Sequence, residues 1–342
     1  LDKPGPARQD VAKPEEPKML NRRALLATPA LLPALAQAQP QADWPQRPVT
    51  MLIPFVAGGP SDITGRVIAA RLGGLLGQTV VVENRPGANG AVAAQAMARA
   101  AADGHTIMTG SIGVYAINKA LRPNLPYDPL RDFAPITLAV TTPNVMVINP
   151  QQVPATDYAG VLAWLRANGA RASYSTSGVG SSEHLTMELF KLRTGTDATH
   201  IPYQGGAAAA TALLAGDVQL TFQNLGTVAP HIAAGRLRAV MVTSAQRNPT
   251  VPDVPTGAEL GLSDFVVTSW QAVMAPAGVP APILARLEAG CIEALQHPES
   301  RQRLNQIGFD VVASSAAEFR RFQEAEIARW RTVVERAQIR AE

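Results

Sequence analysis

TMLIPFVAGGPSDITGR, Thr50 to Arg66, decides the fold. Val49–Ile53 reads as a buried strand that breaks at Pro54. A loop follows, Phe55-Val56-Ala57-Gly58-Gly59-Pro60, and a helix is predicted to start at Ser61 or Asp62. Paired glycines let the backbone take positive φ and come close to a ligand. A helix start leaves N–H groups without partners at the positive end of its dipole. Strand, Gly-rich turn and helix start together suit an anion such as a carboxylate or phosphate. Two alternatives stay open at this level. Gly58-Gly59 is either a ligand loop or only a tight turn. Asp62 either caps its helix or accepts a hydrogen bond from a ligand.

The rest of the chain repeats this layout. Helix is predicted over 63–76 and 91–101, with strands at 79–82 and 106–109, the second running into Gly110-Ser111-Ile112-Gly113. A further helix is predicted over 115–121. Two apolar runs, APITLAV and VMVIN, are split by Thr141-Thr142-Pro143, where the chain is expected to pass into a second domain. There the strand 172–175 leads into Thr176-Ser177-Gly178-Val179-Gly180-Ser181-Ser182 and a helix over 183–192. The strand 199–202 leads into Gln204-Gly205-Gly206 and a helix over 207–214. The strand 218–222 runs into Gln223-Asn224, and another covers 238–243. A strand over 266–275 crosses back; helices over 282–295 and 298–307, a strand at 310–312 and a last helix from Ser315 close the chain. Such alternation predicts an α/β protein with a parallel or mixed sheet covered on both faces. Ligands of such sheets bind at the carboxyl ends of strands. Two Gly-rich loops facing one cleft fit a two-lobed protein that closes on its ligand.

Composition narrows the function. The 342 residues allow two domains, and 46% apolar content allows large cores. With 30 Lys and Arg against 27 Asp and Glu and no basic stripe, nothing suggests a nucleic-acid partner. One cysteine, Cys291, excludes an internal disulfide and a cysteine-built metal site; it reads as a buried thiol. Residues 1–18 are polar and Pro-rich. Met19 opens a stretch with signal-peptide anatomy: Arg22-Arg23, the apolar run 24–36, and Ala36-Gln37-Ala38 as a small-x-small cleavage site. Removing residues 1–38 leaves 24 basic and 23 acidic residues and an exported, nearly neutral protein.

Enzymatic constellations are missing. There is no G-x-S-x-G elbow, Walker lysine, H-E-x-x-H or dinucleotide fingerprint. His105, His184, His200, His231 and His297 are scattered, and no metal or cofactor is expected. His184 after Ser181-Ser182 reads as a loop-packing histidine rather than a base.

Several segments then occur in a telling order: IPFVAGGPSDITGR, VVENRPGANGAVAAQ, LPYDPLRDFAPIT, STSGVGSSEHLTMELF, IPYQGGAAAATALLAGDVQLTFQN, VPDVPTGAELG and MAPAGVPAPI. From about Trp44 to Arg340 the chain resembles the Bug, or TctC, family of extracytoplasmic receptors for tripartite tricarboxylate transporters. The resemblance implies a type II periplasmic binding fold, with lobe 1 over 44–141 plus 266–342 and lobe 2 over 142–265. It implies a monomeric receptor for a small organic acid, with transporter membrane subunits as partner. Its loops would hold a carboxylate through backbone N–H groups and waters. Carried to matching positions, that role falls on Phe55, Ala57, Gly58, Gly59, Ser61 and Asp62, opposed by Ser177, Gly178, Gly180, Ser181 and Ser182. Gly205 and Gly206 would add contacts, and Ser111, Gln223 and Asn224 would read the distal part. Ser111, Tyr115 and Gln223 would carry ligand choice, and a neutral Gln223 disfavours an amine-bearing ligand. Two other readings stand beside the receptor: a sensor presenting its ligand to a signalling partner, and a secreted enzyme using Ser181 or Ser182.

Overall fold

The computed structural model describes residues 44–337, together with Gly5 and Ile339. The expected signal segment lies outside the described residues. β1 (Val49–Ile53) is flanked in parallel by β2 (Val80–Asn84) and β3 (Thr106–Ser111). Its residues are buried almost without alternation, as in a sheet covered on both faces. α1 (Pro60–Leu76) and α2 (Ala91–Ala98) follow β1 and β2. Pro at the start of α1 and left-handed Gly77 at its end fix its limits. A π-helical turn, Gly113–Ile117, leads from β3 into the short α3 (Asn118–Leu121).

β4 (Phe133–Ile148) is one continuous strand of 16 residues, where the sequence suggests a break at Thr141-Thr142-Pro143. Pro143 is tolerated because it sits at the point of exchange. It is the last β4 residue paired to β9 (Thr268–Pro276), and the next residue, Asn144, begins the pairing with β7 (Leu220–Asn224). A missing N–H costs least where a strand changes partner. β9 lies antiparallel between β3 and β4.

In the second half, α4 (Tyr158–Asn168) is capped by Asp157, whose carboxylate accepts from Gly160 N at 2.8 Å. β5 (Ser173–Thr176) is parallel to β6 (Thr199–Pro202) and β7. α5 (Ser182–Thr194) follows β5, α6 (Gly206–Ala215) follows β6, and α7 (Leu225–Ala233) follows β7. Pro230 hides α7 from a reading of the sequence. β8 (Arg238–Val242) pairs with the far part of β4. Then come β9, α8 (Ala281–Gln296), α9 (Pro298–Gln306), β10 (Asp310–Val311) and α10 (Ala316–Ala337). Ser315 and Glu318 cap α10 reciprocally, at 2.9 and 3.2 Å. Cys291 is buried in α8, and burial pushes its thiol up to about 12.

The apolar clusters divide along the chain. Two draw on residues 44–140 and 267–334, with Leu185 as the one outsider, and two on residues 145–265. β4 passes between the halves, and the chain returns between Phe265 and Val267, just ahead of β9.

Candidate functional site

The carboxyl ends of β1, β3, β5, β6 and β7 meet around one hollow of about 330 Å³, part of it open to solvent. Phe55, Pro60, Ser61, Asn89, Ser111 and Ile112 line it from the first half, and Ser177, Ser181, Ser182, Glu183, Gly206 and Asn224 from the second. Ser269 and Gln271 close it from β9. The two halves touch over it. Val56 N, after β1, donates to Gln204 O, after β6, at 3.4 Å. A Cβ on Gly205, at φ 117°, would stand 3.2 Å from Phe55 Cβ, so this contact requires glycine. The first turns of α1, α5 and α6 present Pro60, Ser61, Ser182 and Gly206 to the same space. Three positive helix ends on one small cavity suit a carboxylate. Among the described residues, no Lys, Arg or His contributes to its lining.

Side-chain bonds fix the lining groups. Ser61 Oγ donates to Gln271 Oε1 at 2.6 Å. Asn224 Nδ2 donates to Asn144 Oδ1 at 2.5 Å, and Asn144 Nδ2 to Thr186 Oγ1 at 2.8 Å. Asn89 lies between the halves at φ 49°, held by Asn118 at 3.2 Å, and its buried Oδ1 has no partner within the protein.

Asp62 faces away from the hollow. Its carboxylate accepts from Arg66 Nε at 2.9 Å, Gly58 N at 2.9 Å and Asn84 Nδ2 at 2.9 Å. Burial alone would raise its pKa, but the bonds from Arg66, Gly58 and Asn84 outweigh burial and hold it below its ordinary value. The helix-capping position belongs to Gly59, which has no side chain to offer. Asp62 instead reaches back and ties the loop, at Gly58, to the helix.

Glu183 is the opposite case. It is 3% exposed, lines the hollow and meets no cation: Ser177 Oγ donates at 2.6 Å and Ser182 Oγ at 3.3 Å, with Ser181 and its own backbone N–H beside them. Burial raises its pKa, against the lowering by those serines. His184 beside it is buried. Its Nδ1 accepts from Gly180 N at 3.2 Å, and its ring stacks on His200 at 4.1 Å. Burial pushes the two imidazoles down to about 4 and about 3, so the pair is neutral and packs the loop.

Of the residues expected from sequence, Phe55, Ser61, Ser111, Ser177, Ser181, Ser182, Gly206 and Asn224 come together on the lining. Ala57, Gly58, Gly59 and Asp62 belong to the first loop without lining the hollow, and Gly180 and Gly205 stand in the same relation to the second half. Gly178 borders an adjoining groove with Asn89 and Tyr203. Gln223 is fully buried; its Oε1 accepts from Asn224 N at 3.0 Å, and it lies beneath Gly206 rather than on the cavity wall. Tyr115 is a core residue. It donates to Met108 O at 2.8 Å and stacks on Trp270. Asn89, Glu183, Ser269 and Gln271 escape the sequence reading. Only the first two leave a trace there, one inside the GANG segment and the other next to Ser181-Ser182. Among the described residues no group of three or more His, Cys, Asp and Glu gathers as a metal site.

The pattern of the tripartite tricarboxylate transporter family receptor (TctC) matches residues 64–339. The chain belongs to this family. Protein BugT of Bordetella pertussis is 38% identical over 320 residues, which cover 92% of this chain and 98% of BugT. The solved periplasmic binding protein BugD superposes with a TM-score of 0.84 at 31% identity, covering 87% of this chain and 100% of BugD. The Rhodopseudomonas palustris protein Rpa4515, solved with adipate, gives a TM-score of 0.84 at 37% identity, covering 87% and 99%. TctC receptors of this kind are periplasmic solute-binding proteins, not enzymes. The fold is therefore the two-lobed periplasmic binding fold.

Proposed function

We propose that this protein is an extracytoplasmic receptor that captures a small organic carboxylate by lobe closure and delivers it to the membrane subunits of a tripartite tricarboxylate transporter. In this reading the lobes are 44–141 plus 266–342 and 142–265. They hinge in β4 and β9, the receptor acts as a monomer, and residues 19–38 direct its export. The observation that carries the reading is the meeting of three helix starts at one cavity without a cation. Oriented backbone N–H groups and serine hydroxyls replace the water of a carboxylate without a fixed positive charge. Adipate, bound by Rpa4515, indicates the class to try first.

A thermal-shift screen tests it. The protein is stripped of bound ligand by unfolding and refolding, then offered aliphatic di- and tricarboxylates, acidic amino acids and aromatic acids. A cognate acid at 100 times its dissociation constant adds about 2.7 kcal/mol. The expected result is a shift confined to one class of acid. A folded protein that no acid stabilises would remove the reading.

A further inference from the structure

Glu183 is the one ionisable side chain on the cavity wall. Its neighbours offer no counter-charge. On its own helix, His184 stacks on His200, and Glu188 and Lys191 pair with each other at 3.0 Å. The loop 177–181 and the strands β4 and β7, which pack around α5, carry no ionisable residue. α10 also packs on α5. There Glu326 accepts from Trp270 and Trp330, and Arg329 is taken by Glu326 and Val266 O. None of the α10 charges lines the hollow. A carboxylate buried without a cation bears its desolvation penalty uncompensated, and such a group takes a proton instead. The helix start beside it favours the anion, but by less than burial opposes it. Ser177 donates to Oε1, which leaves Oε2, with its longer 3.3 Å contact to Ser182, to carry the proton.

We propose that Glu183 is a specificity-determining residue, present in the cavity as the neutral acid and donating a hydrogen bond from Oε2 to a carboxylate of the ligand. The proposal rests on the carboxylate-receptor reading above. It makes the protein a selector for amine-free acids. A ligand carboxylate beside an ionised Glu183 would meet like charge in a site with no cation, so the proton must be present for binding. An ammonium group would instead find no anion, only a neutral acid, hydroxyls and the side-chain amides of Asn89, Asn224 and Gln271. Ligand choice then falls on position 183, in the first turn of α5, and not on Gln223, which lies behind the wall.

Succinate and aspartate test this, because they share a carbon skeleton and differ by the amine; adipate is the third probe. Affinities of the wild-type protein and Glu183→Gln are measured by calorimetry from pH 5.5 to 9.5. An amide donates where the acid did but has no proton to lose, so E183Q is the comparison that does not titrate. The expected result for the wild type is preference for succinate or adipate over aspartate, with affinity falling about tenfold per pH unit once Glu183 ionises. In E183Q that slope is absent. Infrared difference spectra at pH 6 should show a protonated-carboxyl band in the wild type that E183Q lacks. Equal slopes in both proteins, absence of that band, or preference for aspartate that E183Q abolishes would overturn the proposal while leaving the receptor reading intact. Failure of the wild type to bind any of the three acids, or any acid of the wider screen, would overturn both.

Discussion

Asp62 and Glu183 occupy equivalent places and behave oppositely. Each sits in the first turn of a helix that follows a strand and a Gly-rich loop, and each is buried. Asp62 has Arg66 one helical turn away, Asn84 across from β2 and the N–H of Gly58 in its own loop. Its charge is met from three sides and its pKa is lowered. Glu183 has serine hydroxyls and its own backbone N–H but no cation, and burial raises its pKa. The same side-chain chemistry thus braces a loop in one lobe and faces the cavity in the other. The partner set decides, not the position in the motif.

Substitutions can break this contrast, beginning where the largest effect is expected. Asp62→Ala removes a charge-assisted bond and leaves Gly58 N without its acceptor, while Asn84 keeps Phe55 O, so it should cost about 2–3 kcal/mol of stability. Arg66 is half exposed and recovers part of its solvation. Affinity should change less than stability, since Asp62 does not line the hollow. A variant as stable as the wild type that no longer binds acids would make Asp62 a ligand contact and end the contrast. Gly58→Val comes next. At φ 84° a β-branched residue is strained by about 1–3 kcal/mol. A Cβ there would meet only Ala207 Cβ, at an ordinary 3.6 Å. The damage is therefore to the loop's conformation: the fold should survive, with a lowered melting temperature, and acid binding should be lost. Binding at wild-type strength by that variant would exclude the first loop from the site.

The smallest effect is in the pH dependence of stability. Asp62 has a depressed folded pKa, so its contribution is present above about pH 4 and is lost as pH falls through the folded value. Glu183 has a raised folded pKa, so its contribution is present below about pH 4.5 and is lost as pH rises through the folded value. Chemical denaturation across pH should find E183Q gaining on the wild type as pH rises. A constant difference between the two at every pH would mean that Glu183 does not titrate abnormally.

Most strands and helices are legible in the sequence because buried parallel strands leave unbroken apolar runs and their turns leave glycines. β1 and β6 fall within the bounds that the sequence suggests. β4 is harder. Pro143 marks a change of partner, and a local pattern cannot tell that from a break. Ser111, Gln223 and Asn224, expected in loops, are the last residues of their strands. Loop serines and glycines reveal half of the cavity wall. Gln271 bonds to Ser61 across 210 residues, a contact that no spacing encodes. Glu183 is visible as a letter but not as a functional group. Its role depends on which cations are absent around it, and only the packing of α5 against β4, β7 and α10 decides that.

The central claim is that helix starts, not cations, hold the ligand's carboxylate. A crystal structure with the best-binding acid of the screen tests it most directly. The expected result is a carboxylate between Ser61, Ser182 and Gly206, within hydrogen-bond reach of their backbone N–H groups or of water bound to them. An acid seated outside this hollow, or one whose carboxylates are held by an arginine or lysine side chain, would contradict it.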